Sequence, residues 1–179
     1  MNPTVRLKIE KVVAGGYGLA RVSGQVILVK SALAGETVEV ELLSQKGVQK
    51  ARILKILEAS LDRADASGLP TTLDLAHASY ESQLRYKKHF VQEALERIGK
   101  LEGEIEDTRP SPDRWHYRNT VQYAIFNDRV AYRERQSHAL QPLLEDPIAS
   151  EQINQFISQL EIKNLQPAEE IVLRSSFLT

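Results

Sequence analysis

A tyrosine and several basic side chains beside a glycine-rich segment are the residues whose types and spacing point most directly to a chemistry. Residues 14–20 read AGGYGLA, with Tyr17 between glycines and Arg21 directly after the segment. A strand pattern follows, whereas a dinucleotide-binding fingerprint requires a helix at this point. A bulged turn explains the glycines. On such a turn an exposed Tyr17 could also stack on a nucleic-acid base while Arg21 contacts a phosphate.

A second group of basic residues surrounds the last strand predicted in the first sixty residues, and it comprises Lys46, Lys50, Arg52 and Lys55. Charges on a solvated strand face often serve solubility alone. On a small β-barrel, one face and its loops commonly form a groove for oligonucleotides. Each Lys or Arg that neutralises a phosphate there would add affinity that depends on salt but not on base sequence.

The segment WHYRN, residues 115–119, combines aromatic and polar residues just before a predicted strand. The simplest interpretation places Trp115 and Tyr117 in a core and pairs Arg118 with an acidic neighbour. The functional alternative uses the arginines: Arg118 and Arg133 are predicted on neighbouring strands, from which both could reach an RNA backbone.

The absence of cysteine excludes thiol chemistry. The chain can form no disulfide, no cysteine zinc site, no cysteine-held iron–sulfur cluster and no cysteine nucleophile. The four histidines lack ligand spacing, and no G-x-S-x-G segment marks a nucleophilic serine. The residues by themselves therefore predict neither a catalytic group nor a metal site.

The charges are distributed unevenly, although the formal net charge is only -1. Residues 1–63 hold ten basic and six acidic side chains, and the remaining 116 residues hold 13 and 18. The basic front could face a polyanion. The composition (42% hydrophobic), the lack of an apolar run of membrane-spanning length and the lack of a signal-peptide pattern predict a soluble cytoplasmic protein without membrane contact.

The elements that would position these residues begin with a β-rich part. Residues 4–60 contain five short segments of strand pattern without an intervening helix, which predicts a small OB-like or SH3-like β-barrel over residues 1–60. Residues 61–78 form a polar loop that is too long for a simple connection.

From Ser79 the hydrophobic period becomes helical, and Gly99 is predicted to stop the first helix. The apolar positions of this helix are Tyr80, Leu84, Val91, Ala94, Leu95 and Ile98. A β-hairpin is predicted around Asn127 and Asp128. The sequence then predicts a second helix and a last strand, so residues 79–179 are expected to form an α+β domain with an antiparallel sheet.

The second helix is predicted to begin with Asp146 as its cap and Pro147 in its first position. Its buried stripe is predicted to contain Ala149, Ile153, Phe156, Ile157 and Leu160.

Several of these segments resemble one known family in its own order. Residues 15–42, GGYGLARVSGQVILVKSALAGETVEVEL, resemble the TRAM domain, a small OB-like RNA-binding module. The remainder is similar to the central domain of the RNA uracil-C5 methyltransferases, which make 5-methyluridine in ribosomal and transfer RNA. The matching segments are YESQLRYKK, VQEALERIG, SPDRWHYRN, VAYRERQSHAL and DPIASEQIN.

The chain departs from this family at two points. Many members hold an iron–sulfur cluster through a C-G-G-C motif before the LAHxSYE segment and through further cysteines. Here Pro70 and Leu73 stand in place of the motif's two cysteines, and Asp146 stands in place of another one. Because the chain has no cysteine, the cluster is excluded here. Some family members also lack it. The family's S-adenosylmethionine domain, with its nucleophilic cysteine, would follow residue 179.

The resemblance implies the RNA-binding N-terminal portion of an S-adenosylmethionine-dependent 23S rRNA or tRNA uracil-C5 methyltransferase. This portion would position RNA for a catalytic domain supplied in cis or in trans, with no cofactor of its own and no activity alone. The predicted RNA-binding residues are Tyr17, Arg21, Lys46, Lys50, Arg52, Arg118 and Arg133. Two alternatives remain open: a stand-alone TRAM-type RNA-binding protein, and a protein-interaction module.

Overall fold

The computed structural model describes residues 3–43, 47–134, 139–161 and 167–176. The chain divides into two compact units. Unit 1 comprises Met1–Ser67 and Leu73–Pro110, and unit 2 comprises Gly68–Thr72 and Ser111–Thr179. This division differs from the boundaries expected at residues 61 and 79, because the first helix packs on the sheet of unit 1.

Unit 1 contains a six-stranded mixed sheet with the strand order β1-β5-β6-β4-β3-β2. The strands are β1 (Thr4–Lys8), β2 (Lys11–Val13), β3 (Tyr17–Val22), β4 (Gln25–Lys30), β5 (Thr37–Leu43) and β6 (Gln49–Glu58). The pair β4 and β6 is parallel, and the other neighbours are antiparallel.

The sheet curls into a barrel-like shape because its two outer strands are consecutive in the chain. Only Ile9 and Glu10 separate β1 from β2. The Ile9 amide donates to the Glu36 carbonyl at 2.9 Å, and the Glu10 amide donates to the Leu19 carbonyl at 2.8 Å. This bend divides the first predicted strand in two, so that six strands replace the five expected.

Alternate residues of these strands meet inside the curled sheet, as the period of two predicts. This core contains Leu7, Ile9, Ala20, Ile27, Val29, Ala32, Val38, Val40 and Ala51. Burial of a large aliphatic side chain contributes roughly 1.5–3 kcal/mol. The core therefore fixes which side chains of each strand point to solvent.

Helix α1 runs from Tyr80 to Glu93 and continues as a π-helical segment, Ala94–Gly99. The Ser79 hydroxyl accepts a hydrogen bond from the Ser82 amide at 3.3 Å, so the helix starts where the sequence predicted. Gly99 was predicted to stop the helix, but it is the last helical residue. The next residue, Lys100, has φ 54° and adopts the left-handed conformation that ends the helix.

The buried face of α1 is not the predicted stripe. Tyr86 and Phe90 pack against Val12, Leu33 and Ala78. Two residues of the predicted stripe, Val91 and Ile98, are 51% and 83% exposed. Apolar residues occur at helical spacing on both faces, so the period alone does not select the face that meets the sheet.

The two ends of the segment 61–78 run side by side on unit 1. The Ala64 amide donates to the His77 carbonyl at 3.0 Å, and the Ser79 amide donates to the Asp62 carbonyl at 2.8 Å. These backbone hydrogen bonds hold the base of the loop without a bound group.

Unit 2 is built on a four-stranded antiparallel sheet with the order β10-β7-β8-β9. Its elements are β7 (Thr120–Phe126), β8 (Arg129–Arg133), β9 (Leu140–Pro142), α2 (Glu151–Gln159) and β10 (Glu170–Arg174). Asn127 and Asp128 have φ values of 49° and 56°, which is the geometry of a tight hairpin turn and confirms the predicted one. The core contains Val121, Tyr123, Val130, Leu143, Ala149 and Ile153.

The start of α2 differs from the prediction. Ser150 is the cap, because its hydroxyl accepts from the Ile153 amide at 3.4 Å. Asp146 lies four residues earlier and is fully buried. Phe156, predicted in the buried stripe, is 50% exposed.

Candidate nucleic-acid interface

The outer face of β3, β4 and β6 carries several of the predicted RNA-binding residues. Because Ala20, Val29 and Ala51 point into the core, the alternating residues of the same strands point outward. We use the name Tyr17 surface for three neighbouring side chains on this face: Tyr17 on β3, Lys30 on β4 and Lys50 on β6.

The geometry of the Tyr17 surface combines an aromatic ring with two cations. Tyr17 is paired with Lys30 in the antiparallel register of β3 and β4. The Nζ atom of Lys50 lies 5.6 Å from the centroid of the Tyr17 ring, which is a cation–π distance. All three side chains are half-buried, so part of each reaches solvent. A ring beside ammonium groups can stack on a base and neutralise a phosphate.

Arg21 and Arg52 extend this outer face, and each forms an ion pair. Arg21 pairs with Glu10, and Arg52 pairs with Glu41 at 2.5 Å. Exposed ion pairs contribute only about 0–1 kcal/mol, so a phosphate could replace either carboxylate. Lys46, also predicted for this site, lies outside the described residues.

The structure shows why position 16 of the glycine-rich segment is a glycine. It has φ +73°, and a Cβ atom at this position would lie 2.6 Å from the carbonyl carbon of Asp74. The backbone of the segment 61–78 therefore passes directly over the turn that precedes Tyr17. A turn is present at residues 14–16, as the sequence predicted, and its glycine allows a close backbone contact.

Arg133 lies on a strand of unit 2, whereas Arg118 does not. Arg133 is the last residue of β8 and forms an ion pair with Glu170 at 3.6 Å, on the face opposite to the neighbouring Tyr132. Arg118 precedes β7 instead of lying on it, and its backbone forms an isolated bridge with Ala149. The expectation that both arginines lie on neighbouring strands is corrected.

Trp115 and Tyr117 are on the surface of unit 2, 42% and 55% exposed. The simplest interpretation of WHYRN placed both rings in a core, and this is wrong. The core of unit 2 is filled instead by strand residues and by α2.

Asp146 is the centre of a buried hydrogen-bond network. It accepts from the Tyr123 hydroxyl at 2.6 Å and from the Tyr132 hydroxyl at 2.5 Å. Burial and these hydrogen bonds raise the pKa of both tyrosines. Asn154 donates to the Asp146 carbonyl at 2.9 Å. The network joins the sheet to the segment before α2, and every member is satisfied within the fold.

An iron–sulfur cluster does not fit this chain. It has no cysteine, and Asp146, aligned with a cluster ligand, is engaged by two tyrosines. Among the described residues, no group of three or more His, Cys, Asp or Glu side chains is placed to hold a metal ion. Within the same part of the chain, no helix has the length and apolar character needed to span a membrane.

Thr71, in the part of the loop that belongs to unit 2, forms hydrogen bonds within that unit. The Thr71 hydroxyl donates to Glu134 at 2.9 Å, and its amide donates to the Gln141 side chain at 3.2 Å.

A second buried polar cluster, missed in the sequence, lies in unit 1. Glu36 is 0% exposed and accepts from the Arg63 Nε and Nη2 atoms at 2.6 and 2.8 Å. Burial alone would raise the pKa of Glu36, but hydrogen bonds from Arg63 and from the Leu33 and Ser60 amides lower it overall. A buried carboxylate in a turn-like segment gives no sequence signal that separates it from an exposed one.

The comparisons with known proteins agree with this architecture. No protein-family model matches the chain. An uncharacterized RNA methyltransferase from Aquifex aeolicus is 34% identical over 177 residues, which cover 90% of this chain and 41% of that protein. The 23S rRNA (uracil(1939)-C(5))-methyltransferase RlmD from Shewanella amazonensis is 28% identical over 169 residues, or 88% of this chain and 38% of that protein. The chain thus spans about two fifths of the length of these relatives.

A solved structure shares the fold. The crystal structure of the Pyrococcus abyssi tRNA (uracil-54, C5)-methyltransferase in complex with S-adenosyl-L-homocysteine matches with a TM-score of 0.70 at 24% identity. The match covers 96% of this chain and 42% of that one. A curled mixed sheet followed by an antiparallel sheet with helices is therefore an arrangement found in an RNA-modifying enzyme.

The sequence relatives make the assignment more specific. The chain is related, over nearly its whole length, to RNA methyltransferases that include uracil-C5 methyltransferases. The family resemblance drawn from the sequence motifs is confirmed.

Proposed function

We propose that this chain is the RNA-binding portion of an S-adenosylmethionine-dependent uracil-C5 methyltransferase that acts on 23S rRNA or tRNA in the cytoplasm. Residues 1–60 would serve as a TRAM-type, OB-like RNA-binding barrel, followed by the loop 61–78 and the central domain, residues 79–179. Its task is to hold RNA so that a uridine reaches a catalytic domain that lies outside this chain. The names of the relatives support the substrate class.

The observation that carries this proposal is the Tyr17 surface. A tyrosine ring covered by Lys50 and flanked by Lys30 offers both a stacking partner and positive charge. Stacking tolerates every base, and lysine contacts to phosphate carry no sequence information. The surface therefore suits a module that positions RNA and leaves the choice of uridine to other contacts.

The chemistry of methylation needs groups that this chain lacks. The family's reaction uses a cysteine thiolate that adds to the uracil ring, and a bound methyl donor. This chain has no cysteine, so the thiolate must come from elsewhere. We expect the chain alone to bind RNA without methylating it.

The test is a double variant, Lys50→Ala with Arg52→Ala, assayed for binding to a uridine-containing RNA stem-loop over a salt series. We expect weaker binding to every RNA sequence and a slope of log affinity against log salt that is shallower by about 1–2. A matched control is Lys87→Ala with Arg97→Ala, which removes the same charge from the exposed face of the first helical region.

Equal affinity of the two double variants would show that RNA binds another face. If the unmodified chain binds no RNA at low salt, both RNA-binding functions fail, and the protein-interaction alternative gains support.

A further inference from the structure

The aromatic pair Trp115 and Tyr117 is a second surface feature that the Tyr17 surface does not explain. Both rings lie in unit 2, outside its core, and together they expose a tryptophan and a tyrosine to solvent. An exposed aromatic ring presents a flat apolar face on which a base can stack. Both rings, which directly precede β7, are therefore available to a binding partner.

The backbone that carries these rings is fixed against the segment before α2. The His116 amide donates to the Pro147 carbonyl at 2.9 Å, and the Arg118 amide donates to the Ile148 carbonyl at 2.8 Å. The Ser150 amide donates back to the Arg118 carbonyl at 2.7 Å. Binding to such a surface would not require the backbone to become ordered, which removes one cost of recognition.

His116, between the two rings in the sequence, is anchored to unit 2. It has φ +55°, an uncommon value for a residue with a side chain, and its Nδ1 atom lies 3.0 Å from the Ala149 carbonyl oxygen. The imidazole is thereby tied to the body of unit 2, while the rings on either side of it remain exposed.

The charges of the segment that carries the pair suit a polyanion. Arg114 and Arg118 flank the two rings in the sequence, and both are exposed. Asp113 is the one acidic residue of the segment 111–120. Alternating rings and guanidinium groups are how proteins hold unpaired bases and the phosphates between them.

We propose that Trp115 and Tyr117 form a stacking surface for unpaired RNA bases, with Arg114 and Arg118 contacting the adjacent phosphates. This inference rests on the proposed RNA-binding function and adds to it the class of RNA recognised by unit 2. Bases inside a duplex present no free face to such a surface, so single-stranded or looped RNA is the ligand.

The experiment uses the intrinsic fluorescence of Trp115, which is the one tryptophan of the chain. A 12-nucleotide oligouridine is titrated into the full chain, and the same strand annealed to oligoadenosine is titrated in parallel. We expect the single strand to quench tryptophan emission and the duplex to leave it unchanged. Fluorescence anisotropy of labelled RNA reports binding independently of the tryptophan.

The variants Trp115→Ala and Tyr117→Ala should each weaken binding to the single strand roughly ten-fold. The matched control is Phe156→Ala, which removes another exposed ring from α2 and should leave affinity unchanged. Far-ultraviolet circular dichroism checks that each variant is folded. The quenching experiment uses the unmodified chain, so it tests the proposal even if a variant does not fold.

Two results would overturn the inference while leaving the proposed function intact. One is binding by anisotropy without any change in tryptophan emission and without loss in either variant. The other is equal quenching by single strand and duplex. Absence of RNA binding by the unmodified chain at low salt would reject the inference and the proposed function together.

Discussion

Gly16 decides at the level of one residue whether the segment 61–78 can cross the turn before Tyr17. The Asp74 backbone occupies the space that any side chain at position 16 would need. Gly24 has a similar positive φ, +81°, but nothing lies within 4 Å of its Cβ position. A side chain at position 24 would therefore meet backbone strain alone, whereas a side chain at position 16 would meet the same strain and a steric clash with Asp74.

We predict that Gly16→Ala destabilises the protein more than Gly24→Ala. Both variants carry about 1–2 kcal/mol of left-handed strain. Gly16→Ala adds about 1–3 kcal/mol of overpacking against Asp74. Urea denaturation of both variants measures the difference, and equal losses of stability would show that the segment does not press on the turn.

His77 makes the stability of unit 1 depend on pH. Its ring is 4% exposed, and its Nε2 atom has no hydrogen-bond partner among the described residues. Burial, assisted by the charge of Arg63, lowers its pKa from the ordinary value of 6.5 to about 4. Glu36 opposes this shift but does not cancel it. The folded protein therefore holds the neutral ring.

Because the unfolded chain binds a proton at higher pH than the folded one, this contribution is complete above pH 6.5 and is lost as the pH falls towards about 4. The loss amounts to about 3 kcal/mol. We predict that His77→Asn flattens the dependence of the unfolding free energy on pH in this window. His89→Asn, which changes a half-exposed ring, is the control and should keep the wild-type slope.

Helix α1 shows at the level of an element why a helical period is not enough. Two apolar faces are available, and the sheet meets the one with Tyr86 and Phe90. The other face leaves Val91, Leu95 and Ile98 exposed. The contact with Val12 decides between them, and that contact is not encoded in the helix itself.

Substitution of adjacent residues tests this assignment. Phe90→Ala should cost more than about 2 kcal/mol, because it removes a ring from the contact with the sheet. Val91→Ala should change stability by less than about 0.5 kcal/mol. Chemical denaturation measures the unfolding free energy of both variants. A larger loss of stability for Val91→Ala than for Phe90→Ala would show that the predicted stripe is the buried face after all.

At the scale of the whole molecule, each unit has a core of its own among the described residues: one lies inside the curled sheet and one lies between the antiparallel sheet and α2. Each unit thus has its own source of hydrophobic stabilisation. Val29 in unit 1 and Val130 in unit 2 are almost completely buried in these cores, which makes them a matched pair.

We predict that Val29→Ala and Val130→Ala each lower stability by about 2 kcal/mol, mainly in the unit that contains the substitution. Amide hydrogen exchange followed by mass spectrometry should show faster exchange in β3 and β4 for the first variant and in β7 and β8 for the second. If either variant accelerated amide exchange equally in both units, the two units would unfold as one cooperative unit.

Much of the fold could be predicted from local signals. The strand alternation, the helix start at Ser79 and the hairpin at Asn127 and Asp128 depend on residues close in the sequence. The errors occurred where distant contacts compete with local preference. Asp146 has the side chain of a helix cap, but two tyrosines from neighbouring strands bury it, and Ser150 becomes the cap.

The candidate site divides in the same way. Residue identity and order are enough to exclude cysteine chemistry from this chain, to make its front basic and to carry the family resemblance. Packing was needed to show that Lys50 covers Tyr17, that Arg118 lies before β7 and not on it, and that Trp115 and Tyr117 face solvent. Burial and proximity arise from packing between residues distant in the chain, and no local pattern specifies them.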